Sequence, residues 1–215
     1  MSPWLDTLLA AARPLLAPVF TLWGSPVTLL EIVAFVLSIV MVLANLRVNP
    51  IGWPLAIISS LLYALLFVDS KLYGEASLQV FFVIIALWGW WQWLRGSGSD
   101  GGALRVHVLS LQGRLLALAV TLLAWPLLGL ALKHFTDSDV PYLDALPTVA
   151  SVTGQILLGR KLVDNWPVWL MVNVLSIGLF ATKGLWLTVL LYAIFALLSI
   201  VGWRAWRGLV GRAHA

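Results

Sequence analysis

The residues with the most chemical content fall in one short stretch, Asp164-Asn165-Trp166-Pro167-Val168-Trp169, continuing to Asn173. Successive helix residues advance by about 100°, so Trp169 stands about 60° from Trp166 and Asn173 only about 20° from it. Two indoles and an amide then share one stripe, with Asn173 about 10 Å along the axis from Trp166. Rings near a pocket mouth with an amide below suit a flat heteroaromatic ligand bearing hydrogen-bonding groups. Stacking supplies contact area, a cationic ring adds cation–π attraction, and the amide fixes orientation. The competing reading is packing: interfacial tryptophan and an asparagine that bridges helices. Gln79, Phe82, Ala86 and Trp90 share a second helical face, at spacings of three and four. Gln79 and Gln155 both sit inside apolar runs, where an unpartnered amide costs on the order of 1–3 kcal/mol. Each therefore bridges helices or meets a ligand.

Other chemistry is missing. His107, His134 and His214 fall in loops or tails, no lysine sits in a long apolar run, and there are no cysteines. Metal sites, intramembrane proton relays, thiol catalysis and a retinal Schiff base are thereby excluded. Neither a phosphate-binding Walker sequence nor a nucleophile elbow appears. The expectation is a protein without cofactor, metal or catalytic residues. Glu31 and Asp144 lie near the outer ends of their apolar runs, where helix capping or pairing with lysine is the expected role rather than ion coupling.

The elements that must position these side chains are set by composition. With 215 residues, 61% apolar content, 10% charged residues and a mean hydropathy of +0.99, the chain exceeds soluble norms. Soluble domains average roughly 45–50% apolar and about 25% charged, so lipid must solvate much of this surface. Seven apolar runs are readable: Val27–Leu46, Ile51–Val68, Gly74–Leu94, Leu115–Leu132, Tyr142–Gly159, Trp166–Thr182 and Leu185–Trp206. The Gly/Ser-rich stretch Gly96–Gly102 is the clearest linker. Trp4–Trp23 is apolar but interrupted by Arg13, Pro14 and Pro18, and reads as a short helix lying in the membrane interface. Of 13 Lys and Arg, one side of the membrane holds Arg47, Arg95, Arg105, Arg114, Arg160, Lys161, Arg204, Arg207 and Arg212. The other holds Arg13, Lys71, Lys133 and Lys183. Positive residues stay in the cytoplasm, so the N-terminus is expected outside and the C-terminus inside. The basic balance is an orientation signal, and no nucleic-acid partner is expected.

An internal repeat organises the whole. An ungapped offset of 113 residues, from Trp53-Pro54 to Trp166-Pro167, also lays Arg47 on Arg160, Phe67 on Phe180 and Leu72 on Leu185. It lays Phe82 on Phe195, Gly89-Trp90 on Gly202-Trp203 and Trp93 on Trp206. Glu31 meets Asp144, Ser38 meets Ser151, and Gln79 meets Tyr192, which makes a candidate ligand-facing pair with one member from each unit. Matches at Trp, Pro, Gly and acid are not free in an apolar chain, so the repeat reads as a duplication. Two three-span units joined by one linker span point the same way across the membrane, the parallel-repeat plan of the SWEET transporters. The expected fold is an all-α membrane protein of seven transmembrane helices, arranged 3+1+3. Its parts are an interfacial segment 1–26, a first repeat 27–94, a loop and linker helix 95–139, a second repeat 140–207 and a cytoplasmic tail 208–215. A ligand would sit near the midplane between the units. Trp88, Trp91, Trp203 and Trp206, near the cytoplasmic boundary, read as belt anchors.

The run Arg160-Lys161-Leu162-Val163-Asp164-Asn165-Trp166, continuing through Trp169 and Asn173 to Leu175-Ser176, resembles the sixth-span signature of the PnuC-type nicotinamide riboside transporters. Leu72-Tyr73-Gly74, Leu78-Gln79-Val80-Phe81-Phe82 and Gly89-Trp90 resemble that family's third span, and Tyr192 with Gly202 its seventh. Ala86 and Val201 depart from it, since the family can carry Asn at both places. The resemblance implies a SWEET-like bundle in the bacterial plasma membrane that takes up a nicotinamide nucleoside by facilitated diffusion, trapped inside by phosphorylation. It also implies homotrimers, with thiamine or riboflavin as alternative vitamin substrates. A sensor or binding subunit without transport is the competing class. The expected substrate-binding set is Trp166, Trp169, Asn173, Gln79, Tyr192, Gln155 and Phe82.

Overall fold

A computed structural model of the chain describes residues 12–69, 73–98, 101–135, 140–182 and 186–213. Residues 1–11, Lys71, Leu72, Lys183, Leu185 and His214, which enter the sequence argument, lie outside the described residues. Seven long helices carry the structure: α1 (Leu29–Leu46), α2 (Gly52–Asp69), α3 (Tyr73–Arg95), α4 (Leu111–Phe135), α5 (Pro141–Gly159), α6 (Asn165–Thr182) and α7 (Trp186–Ala213). Each apolar run read from the sequence coincides with one of them to within a few residues. The exception is the end of α7, which continues as helix past residue 207 to Ala213 where a separate tail was expected.

The N-terminal expectation needs correcting. Residues 12–16 are helical, but the interfacial helix does not extend to Trp23. Strands β1 (Pro18–Leu22) and β2 (Ser25–Thr28) instead pair antiparallel as a hairpin. Its turn is Trp23-Gly24, both with positive φ (46° and 86°), a conformation glycine adopts without a steric penalty. Pro18 and Pro26 lack the amide hydrogens a helix would use. Thr28 then starts α1: its Oγ1 accepts from the Glu31 backbone N–H at 3.1 Å.

α1 shows why the bundle belongs in lipid. Beyond Leu30 in its first turn, its buried residues are small or polar (Ala34, Ser38, Ala44, Asn45), while Val33, Val36, Val40 and Leu43 are 41–51% exposed. In water that polarity would be inverted; in a bilayer, small residues let helices approach and aliphatic ones meet acyl chains. α1, α4 and α7 are each long and apolar enough to cross a membrane, with mean hydropathies of 2.5, 2.3 and 2.1.

The repeat is visible in the contacts. α1 packs on α2 and α2 on α3; α5 packs on α6 and α6 on α7; α4 packs on α5. The two units meet through α3 with α5 and α1 with α7, which are equivalent pairs under the 113-residue offset. The α1–α2 and α5–α6 turns are superposable in detail. Val48 and Lys161 occupy the same left-handed position (φ 53° and 54°). Asn49 N donates to Ala44 O at 2.9 Å, and Leu162 N to Leu157 O at 3.0 Å.

Tryptophans join the units at one end. Trp53 meets Trp93 edge to face (5.5 Å, 84°), and Trp166 meets Trp206 likewise (5.5 Å, 88°), with Trp93 and Trp206 6.1 Å apart between them. Trp93 Nε1 donates to Leu158 O (3.0 Å) and Trp206 Nε1 to Asn45 O (3.1 Å), so each unit bonds the other at the equivalent carbonyl. This corrects the belt reading of Trp206, which is 0% exposed. Trp88 also faces inward, its ring filling the space beside Gly159. Trp91 and Trp203 remain exposed, as belt residues should.

An extended strap runs beneath this end. His107 N donates to Lys161 O (3.2 Å) and Val163 N to His107 O (2.9 Å). Asp164 accepts the Leu109 N–H (2.7 Å) and pairs with Arg114 Nε (2.7 Å), so this acid anchors the strap rather than facing a ligand. Lys161 Nζ donates to Leu104 O (3.0 Å) and lies 5.2 Å from the Trp93 ring centre. Burial holds the Lys161 amine below its ordinary value.

Candidate functional site

A cavity of about 620 Å³ lies between the two units, and all seven residues named from the sequence line it. Its floor is the tryptophan cluster. Trp53 and Trp166 are 1% and 3% exposed, and each ring lies against a glycine of the third helix in its unit. A Cβ on Gly89 would stand 2.2 Å from Trp53 Cη2, and one on Gly202 2.6 Å from Trp166 Cδ2. Glycine is required at both places because the indole occupies the volume a side chain would take. Trp166 was expected near the mouth of a pocket. It lies instead at the closed end, because its ring is held by Gly202 and Trp206.

The wall can be read in layers, since helix residues rise about 1.5 Å each. Trp169 is four residues into α6 and Gln155 four residues before the end of α5, so both stand about 6 Å above the floor. The Trp169 ring rests against α5, where a Cβ on Gly154 would meet its Cε2 at 3.1 Å. Its repeat equivalent is Ala56, so one unit supplies a ring and the other leaves space. Asn173 lies a further turn up and is 2% exposed. Its Nδ2 donates to Ser199 Oγ (3.2 Å), which donates to Phe195 O (2.8 Å). Asn173 thus both bridges α6 to α7 and lines the cavity. Farther out come Phe82, Phe195, Gln79 and Tyr192, with Tyr192 5.2 Å from Phe180 and 6.0 Å from Phe195 between ring centres. Glu31 and Asp144 border the outer part, below hairpin residues Pro18, Leu22 and Val27. Glu31 stands in the first turn of α1, its backbone N–H capped by Thr28 Oγ1.

At the floor, Asn45 Oδ1, Trp53 Nε1, Asn165 Oδ1 and Trp166 Nε1 have no hydrogen-bond partner among the described residues. An unpaired buried polar atom costs about 1–3 kcal/mol, and all four residues border the cavity. The sequence reading missed Asn45 and Trp53. The signal was present, because Trp53 is the repeat mate of Trp166.

Known proteins place this geometry. The family of nicotinamide mononucleotide transporters matches residues 28–208, from the end of the hairpin into α7. The chain belongs to that family. Among its relatives, the nicotinamide riboside transporter PnuC of Escherichia coli (strain K12) is 28% identical over 174 residues, covering 70% of this chain and 73% of that protein. The riboflavin/roseoflavin transporter RibM of Streptomyces davaonensis is 25% identical over 189 residues, covering 87% and 88%. The crystal structure of the vitamin B3 transporter PnuC aligns with a TM-score of 0.74 at 25% identity, over 97% of this chain and 91% of that one. The family and its structural neighbour are transporters, not enzymes, and this member is a multi-pass membrane protein.

Proposed function

We propose that the chain carries nicotinamide riboside into the bacterial cytoplasm by facilitated diffusion, with intracellular phosphorylation trapping the product. The observation that carries this reading is the α6 stripe, in which Trp169 and Asn173 line the cavity between the units. The pyridinium ring stacks on Trp169, gaining cation–π attraction, and the carboxamide bonds Gln155, which stands at the same level. The Trp166 and Trp53 rings close the site from below, while Phe82, Gln79 and Tyr192 enclose the outer side. Uniport fits the absence of lysine or histidine from the cavity lining among the described residues and the placement of Glu31 in the first turn of α1. The relative RibM favours riboflavin as a second reading, since its match covers more of the chain.

Seven transmembrane spans in a 3+1+3 plan, N-terminus outside and C-terminus inside, belong to the same proposal, as does assembly into homotrimers. The repeat contacts support the plan and the Lys/Arg distribution supports the orientation. Native mass spectrometry reads the oligomer. For function, purified protein in liposomes without ion gradients should equilibrate labelled nicotinamide riboside, stopping at equal concentrations. Accumulation of unmodified substrate only under a proton or sodium gradient overturns uniport, and no uptake of either vitamin overturns transport.

A further inference from the structure

One layer of the cavity is not accounted for by ring stacking. Ser38 lies eight residues before the end of α1, and Ser151 eight before the end of α5. Ser60 lies eight residues into α2, and Asn173 eight into α6. The four therefore share one level, about 12 Å above the floor and about 6 Å above Trp169. They come from four different helices and all line the cavity. The 113-residue offset pairs them as Ser38 with Ser151 and Ser60 with Asn173, so the level is a ring with approximate two-fold symmetry.

The serines are not explained by the fold. Ser38 and Ser151 are 5% and 7% exposed, yet neither they nor Ser60 hydrogen-bond another described residue. Ser59, Thr121 and Thr153 show the usual alternative, each donating to a carbonyl three or four residues back in its own helix. Hydroxyls inside a membrane bundle that decline this bond and face a cavity are available to its contents. A hydroxyl both donates and accepts, so three of them with an amide suit a ligand that is itself a run of hydroxyls.

We propose that Ser38, Ser60 and Ser151, with Asn173, form a collar that binds the polyhydroxylated arm of the substrate while Trp169 holds its ring one turn below. This rests on the proposed transport of a vitamin and narrows its substrate class. Ligands carrying a ribosyl or ribityl group on a flat heteroaromatic ring fit. Thiamine, whose arm ends in a single hydroxyl, leaves most of the collar unpaired.

The test compares ligands with and without the arm by calorimetric titration of the full-length protein in detergent. Nicotinamide riboside is paired with 1-methylnicotinamide, which keeps the cationic ring and carboxamide; riboflavin is paired with lumichrome. Ser38→Ala, Ser60→Ala and Ser151→Ala should each weaken the polyol-bearing member about 2- to 12-fold, one neutral hydrogen bond apiece. Affinity for its armless partner should not change. Trp169→Ala should weaken both members of a pair. Alanine is tolerated in helices, and an unchanged thermal transition confirms that each variant is folded. If all three serine variants bind the polyol ligand like wild type, or lose both members of a pair equally, the collar is overturned while transport of the vitamin stands. Wild-type protein that binds neither nicotinamide riboside nor riboflavin overturns the collar together with the reading beneath it.

Discussion

Replacing Gly202 with alanine probes the cavity floor through a single methyl group. The new Cβ would lie 2.6 Å from Cδ2, Cε2 and Cε3 of Trp166, against an optimum of about 3.5–4.0 Å between carbons. The indole must retreat by about 1 Å, yet it is 3% exposed and wedged on Trp206 at 5.5 Å. Overpacking of this kind costs about 1–3 kcal/mol. Replacing glycine in a helix gains roughly 1 kcal/mol from propensity, which a control must cancel. Gly208, on the same helix, has nothing within 4 Å of its hypothetical Cβ, so Gly208→Ala takes the gain without the clash. The two variants should therefore differ by about 1–3 kcal/mol. For a chain of this size each kcal/mol moves Tm by roughly 2–4 °C, so Gly202→Ala should melt about 2–12 °C below Gly208→Ala. Intrinsic tryptophan fluorescence during heating reads both. Equal melting temperatures would mean that Trp166 does not lie on Gly202, and the layered cavity built upon that contact would go with it.

Trp169→Ala should weaken nicotinamide riboside binding about 5- to 150-fold, the value of roughly 1–3 kcal/mol for a base stacked on an aromatic ring. Trp169→Phe should recover part of this, and Trp91→Phe, at an exposed belt position, should bind normally; wild-type affinity in Trp169→Ala refutes the stacking. Because the chain has no cysteine, single replacements report topology directly. Cysteine at Val19, 60% exposed in the hairpin, should react with an impermeant thiol reagent on intact cells and cysteine at Ser97 should not; the reverse pattern inverts the orientation. Trp206→Phe removes the N–H that reaches Asn45 O and should cost about 0.5–1.5 kcal/mol, with Trp93→Phe costing the same by symmetry. A clear loss in only one of the two would break the equivalence of the units. The Lys161 amine, half-buried in the folded protein, should titrate below its ordinary value of 10.5 when followed by NMR of the dimethylated side chain. Its folded value lies below its unfolded one, so its burial penalty is present at neutral pH and is relieved as pH rises through that lowered value. A midpoint at or above 10.5 refutes the burial.

The sequence carried the bundle well because lipid simplifies the code: a helix there must be a long apolar run, and Trp, Pro and Gly stand out against Leu and Val. The offset from Trp53 to Trp166 is matched by turns that agree in φ at Val48 and Lys161. What failed was depth. A stripe such as Trp166, Trp169 and Asn173 gives direction around a helix but not which end of a cavity is closed. That was decided by Gly202 and Trp206, on a helix far away in sequence. The hairpin escaped for a different reason, since Pro18–Trp23 is as apolar as a helix and only paired prolines and Gly24 mark its turn. Ser38 and Ser151 were legible as a repeat match, but their facing a shared cavity depended on how four helices register.

Trp93 and Trp206 each reach across the boundary to the same carbonyl position on the opposite unit. Mutual exchange of this kind is how a two-fold homodimer is joined, one residue type serving both sides of the interface. A half-length ancestor with one tryptophan at that place would already have held the pairing device of the present chain, written once and used twice. Any substitution in it struck both sides together. Joined through α4 in one chain, the two units are free of that obligation, and one carries Trp169 where the other carries Ala56. The floor is symmetric, while the wall above it is free to fit a ligand that is not.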